Sequence, residues 1–402
     1  MTKTLDEQKQ TARIPSVHMQ LGLAFFAFIL IGANDGAIGV LIPSIRAQYS
    51  IDKAVVGFLF LASTLGYLTA AFNSGLLVEK LGNRLFLLVG TVCYLSSVTV
   101  LSLIPPFPIA VLMLLPLGFG VGLLDAGLNA YIAGLPRSTA LLNYLHAFYG
   151  TGALLGPIIA STILTVGLTW NNVYLIWLLM SLILFGGIIA FFRGRNAVSQ
   201  EGASKTESNV LMAVLKLRLV WIAAFFLLFY VGTEVSLGSW SYSFLTEDRH
   251  GTTLISGWIV SGYWIGLTLG RLTLARVAQY IGEKRLIQGC LVGVIVGVLL
   301  IWLVPINAIS AFGLCLTGFS LGPIFPTTIA LMSKLVSSRL LSSAIGFLVS
   351  LGSMGAALFP WLAGNLAQAV GLWSLMPYVI MLTIFMSLLW LSLQARPQVQ
   401  PN

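Results

Sequence analysis

The sequence predicts an all-α membrane protein in which twelve transmembrane helices form two six-helix bundles. Of the 402 residues, 58% are hydrophobic and only 8% are charged, whereas soluble domains carry about 25% charged residues. Twelve apolar runs are long enough to cross a bilayer, which takes about 20 residues per helix. The last six runs also repeat features of the first six. Together these observations exclude a soluble domain.

The twelve runs fall into two halves of six. In chain order they cover residues 19–45, 54–77, 85–104, 108–133, 141–168, 172–192, 219–245, 254–278, 286–304, 308–331, 340–366 and 372–394. Most connections are short, but residues 193–218 are polar, charged and poor in aromatic residues, as linkers are. We therefore predict a cytoplasmic tail, an N-terminal bundle, a cytoplasmic linker, a C-terminal bundle and a second cytoplasmic tail, at 1–18, 19–192, 193–218, 219–394 and 395–402.

The net charge of +9 reflects an uneven distribution of lysine and arginine among the loops. If the N-terminus is cytoplasmic, the loops on the other side contain only Arg46, Lys53 and Arg249, and Arg271 lies inside a run. Cytoplasmic loops of membrane proteins carry such an excess of positive charge. We therefore predict a multi-pass protein of the cell membrane with both termini in the cytoplasm, and no nucleic-acid partner.

The two halves repeat at an offset of about 200 residues. Gly82 matches Gly282, Gly152 matches Gly352, and "LGFGVGL" at 117–123 is similar to "TGFSLGP" at 317–323. A repeat of six helices after a polar linker is typical of transporters whose halves are related by an axis along the membrane normal. In such transporters the substrate lies between the bundles near the midplane, and access alternates between the two sides.

Three carboxylates lie within apolar runs, and we predict that all three couple transport to protons: Asp35, Asp125 and Glu234. An acid near the centre of a membrane helix costs roughly 2.5 to 3.5 kcal/mol. The runs offer no obvious cation partner, because Arg271 is expected near the inner end of its run. Burial without a cation favours the neutral acid, which can take up a proton on one side and release it on the other. Sodium is the alternative coupling ion, and a hydrogen bond to a neighbouring helix is the alternative role.

Polar and aromatic side chains near these acids form the predicted substrate site: Asn34, Asn129, Asn143, His146, Tyr149, Glu234 and Trp240. Asn129 follows Asp125 by four residues, so both lie on one helical face. Imidazole titrates near neutral pH, so His146 is a candidate for hydroxyl binding or proton relay, with a purely structural histidine as the alternative. Trp240 offers a flat apolar ring beside polar groups, or else anchors its helix at the membrane interface.

The connection between the second and third runs reads "GLLVEKLGNR" and resembles the signature loop of the major facilitator superfamily. This resemblance implies a cytoplasmic gate that latches the two bundles, formed by Gly75, Glu79, Lys80, Gly82 and Arg84, with Arg271 as a partner near the inner ends. The equivalent loop of the second half, "ARVAQYIGEKR", has Gln279 in place of Glu79.

Within that superfamily the chain resembles the fucose:proton symporter family. The resemblance rests on "ANDG", "LNYLHAFYGTGALLG", "YVGTEVSLGSW" and "FPTTIAL". It implies uptake of a monosaccharide together with a proton, by acids that fall here on Asp35 and Asp125. The family more often has Glu at the position of Asp125, and Gln and Asn at the positions of His146 and Tyr149.

The sequence thus favours a proton-coupled symporter for a sugar or similar small polar solute. The alternatives are an efflux antiporter for a hydrophobic or cationic compound, and a membrane sensor without transport. No nucleophile–base pair, phosphate-binding loop or metal-ligand spacing is apparent, and the three cysteines lie in apolar runs. We therefore expect no enzymatic activity, cofactor or metal, and a monomer whose partners are the bilayer, protons and the solute.

Overall fold

The computed structural model describes residues 14–192 and 212–394, and within them every long regular element is a helix. The helices are α1 (Ile14–Tyr49), α2 (Lys53–Ser102), α3 (Phe107–Ala133), α4 (Ser138–Thr165), α5 (Asn171–Phe191), α6 (Arg218–Ser243), α7 (Thr253–Ile281), α8 (Glu283–Leu303), α9 (Asn307–Leu321), α10 (Ile324–Leu335), α11 (Ser338–Val370) and α12 (Leu375–Gln394). A π-helical turn, Phe244–Asp248, extends α6, and a 3₁₀ turn, Leu372–Ser374, precedes α12.

These helices confirm the predicted twelve-helix fold, although two runs are joined and one is divided. The 50 residues of α2 would span about 75 Å, more than twice the ~30 Å of a bilayer core. The chain turns within α2 at Gly82, where φ is 68°, so α2 contains the second and third predicted spans. The tenth run is divided into α9 and α10 around Gly322 and Pro323. Ten helical segments of the described chain are apolar enough to cross a membrane when α2 is counted once, and α7 is also long enough, with 29 residues.

The sequence repeat has a structural counterpart at the turns after the second and eighth spans. Gly82 and Gly282 have φ of 68° and 83°, a backbone conformation that glycine adopts without the penalty of a Cβ atom. Because both glycines precede the next span, the offset of 200 residues relates equivalent turns of the two halves.

The described chain divides into two compact units. The first contains the described residues of Met1–Asp35, Leu65–Ala153 and Thr169–Ser199, and the second those of Gly36–Thr64, Leu154–Leu168 and Gln200–Asn402. The second unit therefore includes one end of α1, α2 and α4 together with the C-terminal helices. Much of the predicted linker, most of the predicted N-terminal tail and all of the predicted C-terminal tail lie outside the described residues, so the bundle boundaries 19–192 and 219–394 stay predictions.

In the second unit, α7 and α9 are joined by glycines that face the opposite backbone. A Cβ atom at Gly266 or Gly270 of α7 would overlap a carbonyl oxygen of α9. A Cβ atom at Gly318 of α9, or at Gly322 directly after it, would overlap a carbonyl oxygen of α7. Both pairs have the small-xxx-small spacing with which membrane helices approach each other closely. This contact fixes the depth of α7 relative to its neighbours.

The ends of α1, α2 and α4 that belong to the second unit pack against α6, α7 and α11. The backbone at Gly39 lies against the carbonyl oxygen of Gly238, and Gly57 lies against the indole ring of Trp361. At the same end, Glu247 forms ion pairs with Arg46 at 2.8 Å and with Lys53 at 3.2 Å. The positive-charge distribution predicts that this end is extracellular.

Candidate functional site

Asp35 and Tyr149 meet where α1 crosses α4. The helices approach closely because Gly32 lies against the carbonyl oxygen of Tyr149, and Gly152 lies against that of Ile29. Asp35 follows Gly32 by about one turn, and the Tyr149 hydroxyl donates to Asp35 Oδ2 at 3.0 Å. Asn34 Nδ2 lies 3.4 Å from Asp35 Oδ1. The predicted residues of the first and fifth runs are thus brought together by glycines.

A second crossing, between α2 and α3, builds an equivalent arrangement around Asp125. Gly66 lies against the α3 backbone and Gly122 against α2 at Tyr67. The Tyr67 hydroxyl donates to Asp125 Oδ2 at 2.9 Å. Asn129 Nδ2 donates to Asp125 Oδ1 at 2.8 Å and to the Asp125 main-chain oxygen at 2.9 Å. Both carboxylate oxygens therefore accept hydrogen bonds from neutral donors, and Asn129 lies on the face that its spacing predicts.

These carboxylates belong to one electrostatic cluster of the first unit. Asp125 lies within electrostatic range of Asp35, and His146 lies within electrostatic range of Asp125. His146 is exposed, and its ring meets the Phe28 ring edge-on at a centroid distance of 5.7 Å. Among the described residues, neither aspartate forms an ion pair with lysine or arginine. Acids stabilised by neutral donors rather than by a fixed cation can exchange protons without breaking an ion pair.

Glu234 corrects the expectation that all three acids lack a cation. Arg271 Nη2 lies 3.0 Å from Glu234 Oε1, and both side chains are largely shielded from solvent. The Tyr263 hydroxyl also donates to the Glu234 main-chain oxygen at 2.9 Å. Arg271 was expected near the inner end of its helix, but α7 continues to Ile281, so Arg271 lies about 15 Å from that end at ~1.5 Å per residue. It is therefore deep enough to pair with Glu234.

Trp240 is a packing residue in this structure. Its side chain is fully buried, its indole N–H donates to the Pro360 carbonyl oxygen at 2.9 Å, and its ring lies against Gly364. Pro360 is inside α11. This placement argues against both interpretations of Trp240 made from the sequence, the substrate wall and the interfacial anchor. Asn143, by contrast, is exposed on α4, one turn before His146.

The predicted cytoplasmic gate residues lie around the turn inside α2. Gly75, Glu79 and Lys80 are exposed. Arg84 donates to the main-chain oxygen of Ile189 at 2.8 Å, which attaches the third span to α5 within the first unit. The latching role of these residues stays a prediction, whereas the ion pair with Glu234 gives Arg271 a contact in its own unit.

Two functional candidates were missed from the sequence, Tyr67 and Glu247. Tyr67 lies in an apolar run where a tyrosine is most often a packing residue, and the one available signal was the adjacent Gly66. Glu247 follows the seventh apolar run and was taken for a loop residue, whereas the structure places it in the π-helical turn that extends α6. Its two cations, Arg46 and Lys53, were noted only as exceptions in the charge distribution.

Several characterised proteins are similar to this chain over most of its length. Bypass of stop codon protein 6 of Saccharomyces cerevisiae is 26% identical over 89% of this chain and 79% of that protein. The glucose/mannose transporter GlcP of Bacillus subtilis is 21% identical over 90% of this chain and 89% of its own length. The multidrug efflux pump Tap of Mycolicibacterium fortuitum is 25% identical over 87% of this chain and 90% of its own length.

Solved structures share the fold at low sequence identity. The nucleoside transporter NupG superposes with a TM-score of 0.77 at 15% identity, over 96% of this chain and 99% of that one. FucP in the outward conformation gives a TM-score of 0.64 at 15% identity, over 94% and 99%. The sequence profile of the Major Facilitator Superfamily matches residues 24–256 and 228–402. The twelve-helix fold and this match across most of the sequence place the chain in one family: it belongs to the major facilitator superfamily.

Proposed function

We propose that this transporter is a symporter that takes up a monosaccharide or similar small polar solute together with protons. In this proposal both termini are cytoplasmic, and Asp35 and Asp125 bind the proton. The observation that carries the proposal is the pair of mid-span carboxylates whose hydrogen-bond donors are neutral tyrosine and asparagine side chains. An acid of this kind changes charge when it binds a proton, whereas Glu234 already has the cation Arg271 as its partner.

The polar groups around the acids support a hydroxyl-bearing solute. Asn143 and His146 are exposed one turn apart on α4, and amide and imidazole groups both donate and accept hydrogen bonds. Tyr149 belongs to the same helix and bonds Asp35, so a solute held by this face would lie next to a coupling acid. GlcP, a relative named as a glucose/mannose transporter, supports a sugar, and Tap, named as a multidrug efflux pump, supports the efflux alternative.

The test is accumulation of labelled monosaccharides by purified protein in vesicles with an imposed pH gradient, acid outside. Asp35→Asn and Asp125→Asn each replace an acid with an amide that cannot release a proton. We expect both to abolish accumulation against the sugar gradient, and at least one to retain counterflow exchange, which needs no net proton release. Asp52→Asn is the matched control, because Asp52 lies between α1 and α2, outside the spans.

Each contrary result selects another function. Accumulation by both amide variants at the wild-type level would remove the coupling role of these acids. Accumulation that depends on a sodium gradient and not on a pH gradient would show that sodium, rather than the proton, is the coupling ion. Export of lipophilic cations, with no response to any sugar in the panel, would establish the efflux alternative.

A further inference from the structure

We propose that Tyr67 is a positioning residue for proton coupling, which holds Asp125 in the orientation in which it exchanges protons with Asp35. This inference rests on the proposed function, since it presupposes that the two aspartates are the coupling acids. It adds a residue from α2, a helix for which we predicted no part in proton coupling.

The hydrogen bonds around Asp125 restrict its carboxylate from two sides. Asn129 holds Oδ1 from the next turn of the same helix, and Tyr67 holds Oδ2 from the neighbouring helix. With donors on both oxygens, rotation of the carboxylate about its last torsion breaks at least one hydrogen bond. Without the Tyr67 hydroxyl, the side-chain hydrogen bond that remains to this carboxylate among the described residues comes from Asn129, within α3. That bond does not fix the carboxylate relative to α1, which carries Asp35.

The backbone of Tyr67 is itself fixed by close packing. Gly66 lies against the main chain of α3, and Gly122 of α3 lies against the Tyr67 main chain and ring. A shift of α2 along α3 would bring backbone atoms into overlap at these glycines. The position of the hydroxyl relative to Asp125 is therefore set by helix packing, and a phenylalanine would occupy the same space without the donor.

Tyr67 also lies within the electrostatic field of both acids. Its phenol group interacts electrostatically with both Asp125 and Asp35. The other titratable groups in this cluster are Tyr149 on Asp35, His146 near Asp125, and the buried Tyr94, which also lies in the field of Asp35. The two carboxylates thus share Tyr67 as a neighbour, and the hydrogen bond from its hydroxyl sets the orientation of Asp125.

The exchange itself is a neutral transfer within the pair. The O–H bond of protonated Asp35 breaks, an O–H bond forms on the Asp125 carboxylate, and the negative charge moves to Asp35. The total charge of the pair and the number of protons are unchanged. Tyr67 contributes by holding the accepting oxygen in place, and the Tyr67 phenol begins and ends the step with its own proton.

The test compares Tyr67→Phe with Tyr144→Phe in the same vesicles. Tyr144 is 59% exposed on α4 and has no part in the proposed site, so the control makes the same chemical change elsewhere. We expect Tyr67→Phe to lower pH-driven accumulation by at least ten-fold. Counterflow exchange and its KM for the solute should stay within two-fold of wild type, and the number of protons moved per solute should fall. Tyr144→Phe should leave all four quantities unchanged.

The outcomes separate this inference from the proposed function. If Asp125→Asn abolishes accumulation while Tyr67→Phe accumulates like wild type, the positioning role is overturned and the coupling role of the acids stands. If Tyr67→Phe loses exchange and accumulation together and unfolds at lower temperature in detergent, Tyr67 is a structural residue and the inference is again overturned. If the amide variants of both aspartates still accumulate solute, the proposed function itself fails.

Discussion

At the scale of single residues, the ion pair between Glu234 and Arg271 predicts a coupled effect of mutation. Removing one partner leaves the other charge shielded from water at mid-span, which costs more than removing both. We expect Glu234→Gln and Arg271→Ala each to lower the unfolding temperature in detergent. The double variant should lose less stability than the two single losses added together, with a coupling energy of about 1–3 kcal/mol.

The control for this cycle is Arg249→Ala combined with Glu234→Gln. Arg249 lies at the far end of α6, where its guanidinium donates to the main-chain oxygen of Trp302 at 2.6 Å. Since the two residues share no contact in the described structure, their effects should add. Additive losses for Glu234 and Arg271 would show that their pairing contributes nothing to stability.

The residues of the site were only partly predictable from the sequence. Asp35 and Asp125 were identified because a carboxylate in an apolar run is costly, and Asn129 because a spacing of four places it on the same face. The pairing of Arg271 depends on how far α7 extends, and the role of Tyr67 depends on which helices cross at Gly66 and Gly122. A single sequence contains neither the depth of a helix nor the choice of its neighbours.

At the scale of helices, the contact between α7 and α9 predicts opposite effects for two glycines of one helix. A Cβ atom at Gly266 would overlap the Cys315 carbonyl oxygen, whereas one at Gly262 would meet nothing within 4 Å. Gly266→Ala should therefore destabilise the protein by about 1–3 kcal/mol through overpacking. Gly262→Ala should be neutral or stabilise it by up to about 1 kcal/mol, because alanine is the better helix former.

Thermal unfolding in the same detergent measures both variants. The two substitutions are chemically identical and lie one turn apart on α7, so differences in helix propensity cancel in the comparison. Equal unfolding temperatures for the two variants would mean that α7 and α9 separate at little cost, contrary to the close contact described above.

A helix could be predicted where the length of the apolar run determines its bounds. The prediction was less accurate where glycine or proline in the backbone determines them. The run 308–331 is apolar throughout, yet the helix stops because Pro323 has no N–H to continue it and Gly322 lies against the α7 backbone. Four other prolines lie inside helices without dividing them, namely Pro43, Pro116, Pro157 and Pro360. Glycine before proline does not by itself divide a helix, because Gly156 precedes Pro157 inside the continuous α4.

At the scale of the whole molecule, Glu247 links three helices at the end of the second unit that is predicted to be extracellular. Glu247 contacts Arg46 at 2.8 Å and Lys53 at 3.2 Å. Partly exposed ion pairs are each worth up to about 1 kcal/mol, so the loss of both pairs in Glu247→Gln should shift the equilibrium towards an outward-open form by about 5-fold to 30-fold. A cysteine at Ser239, which is 2% exposed beside Gly39, should then react correspondingly faster with an impermeant thiol reagent from outside.

The labelling uses a background in which the three native cysteines are replaced by serine. Asp248→Asn is the matched control, since this neighbouring acid lies 3.8 Å from Arg249 and contacts neither Arg46 nor Lys53 among the described ion pairs. An unchanged labelling rate in Glu247→Gln would show that these ion pairs do not control access to Ser239. Labelling only from the cytoplasmic side would reverse the predicted orientation.

The neutral pair of Glu234 and Arg271 has an electrical consequence for a protein under membrane voltage. The charges of Glu234 and Arg271 cancel. Among the acidic and basic side chains of the described residues, the net charge near the middle of the membrane therefore comes from Asp35 and Asp125. Moving one elementary charge through the whole field is worth about 2.3 kcal/mol per 100 mV. A bound proton removes part of that charge, so voltage acts more strongly on the empty protein than on the loaded one. If Asp35 and Asp125 couple transport to protons as proposed, we expect a negative cell interior to drive the return of the empty, negatively charged carrier to its outward-facing form.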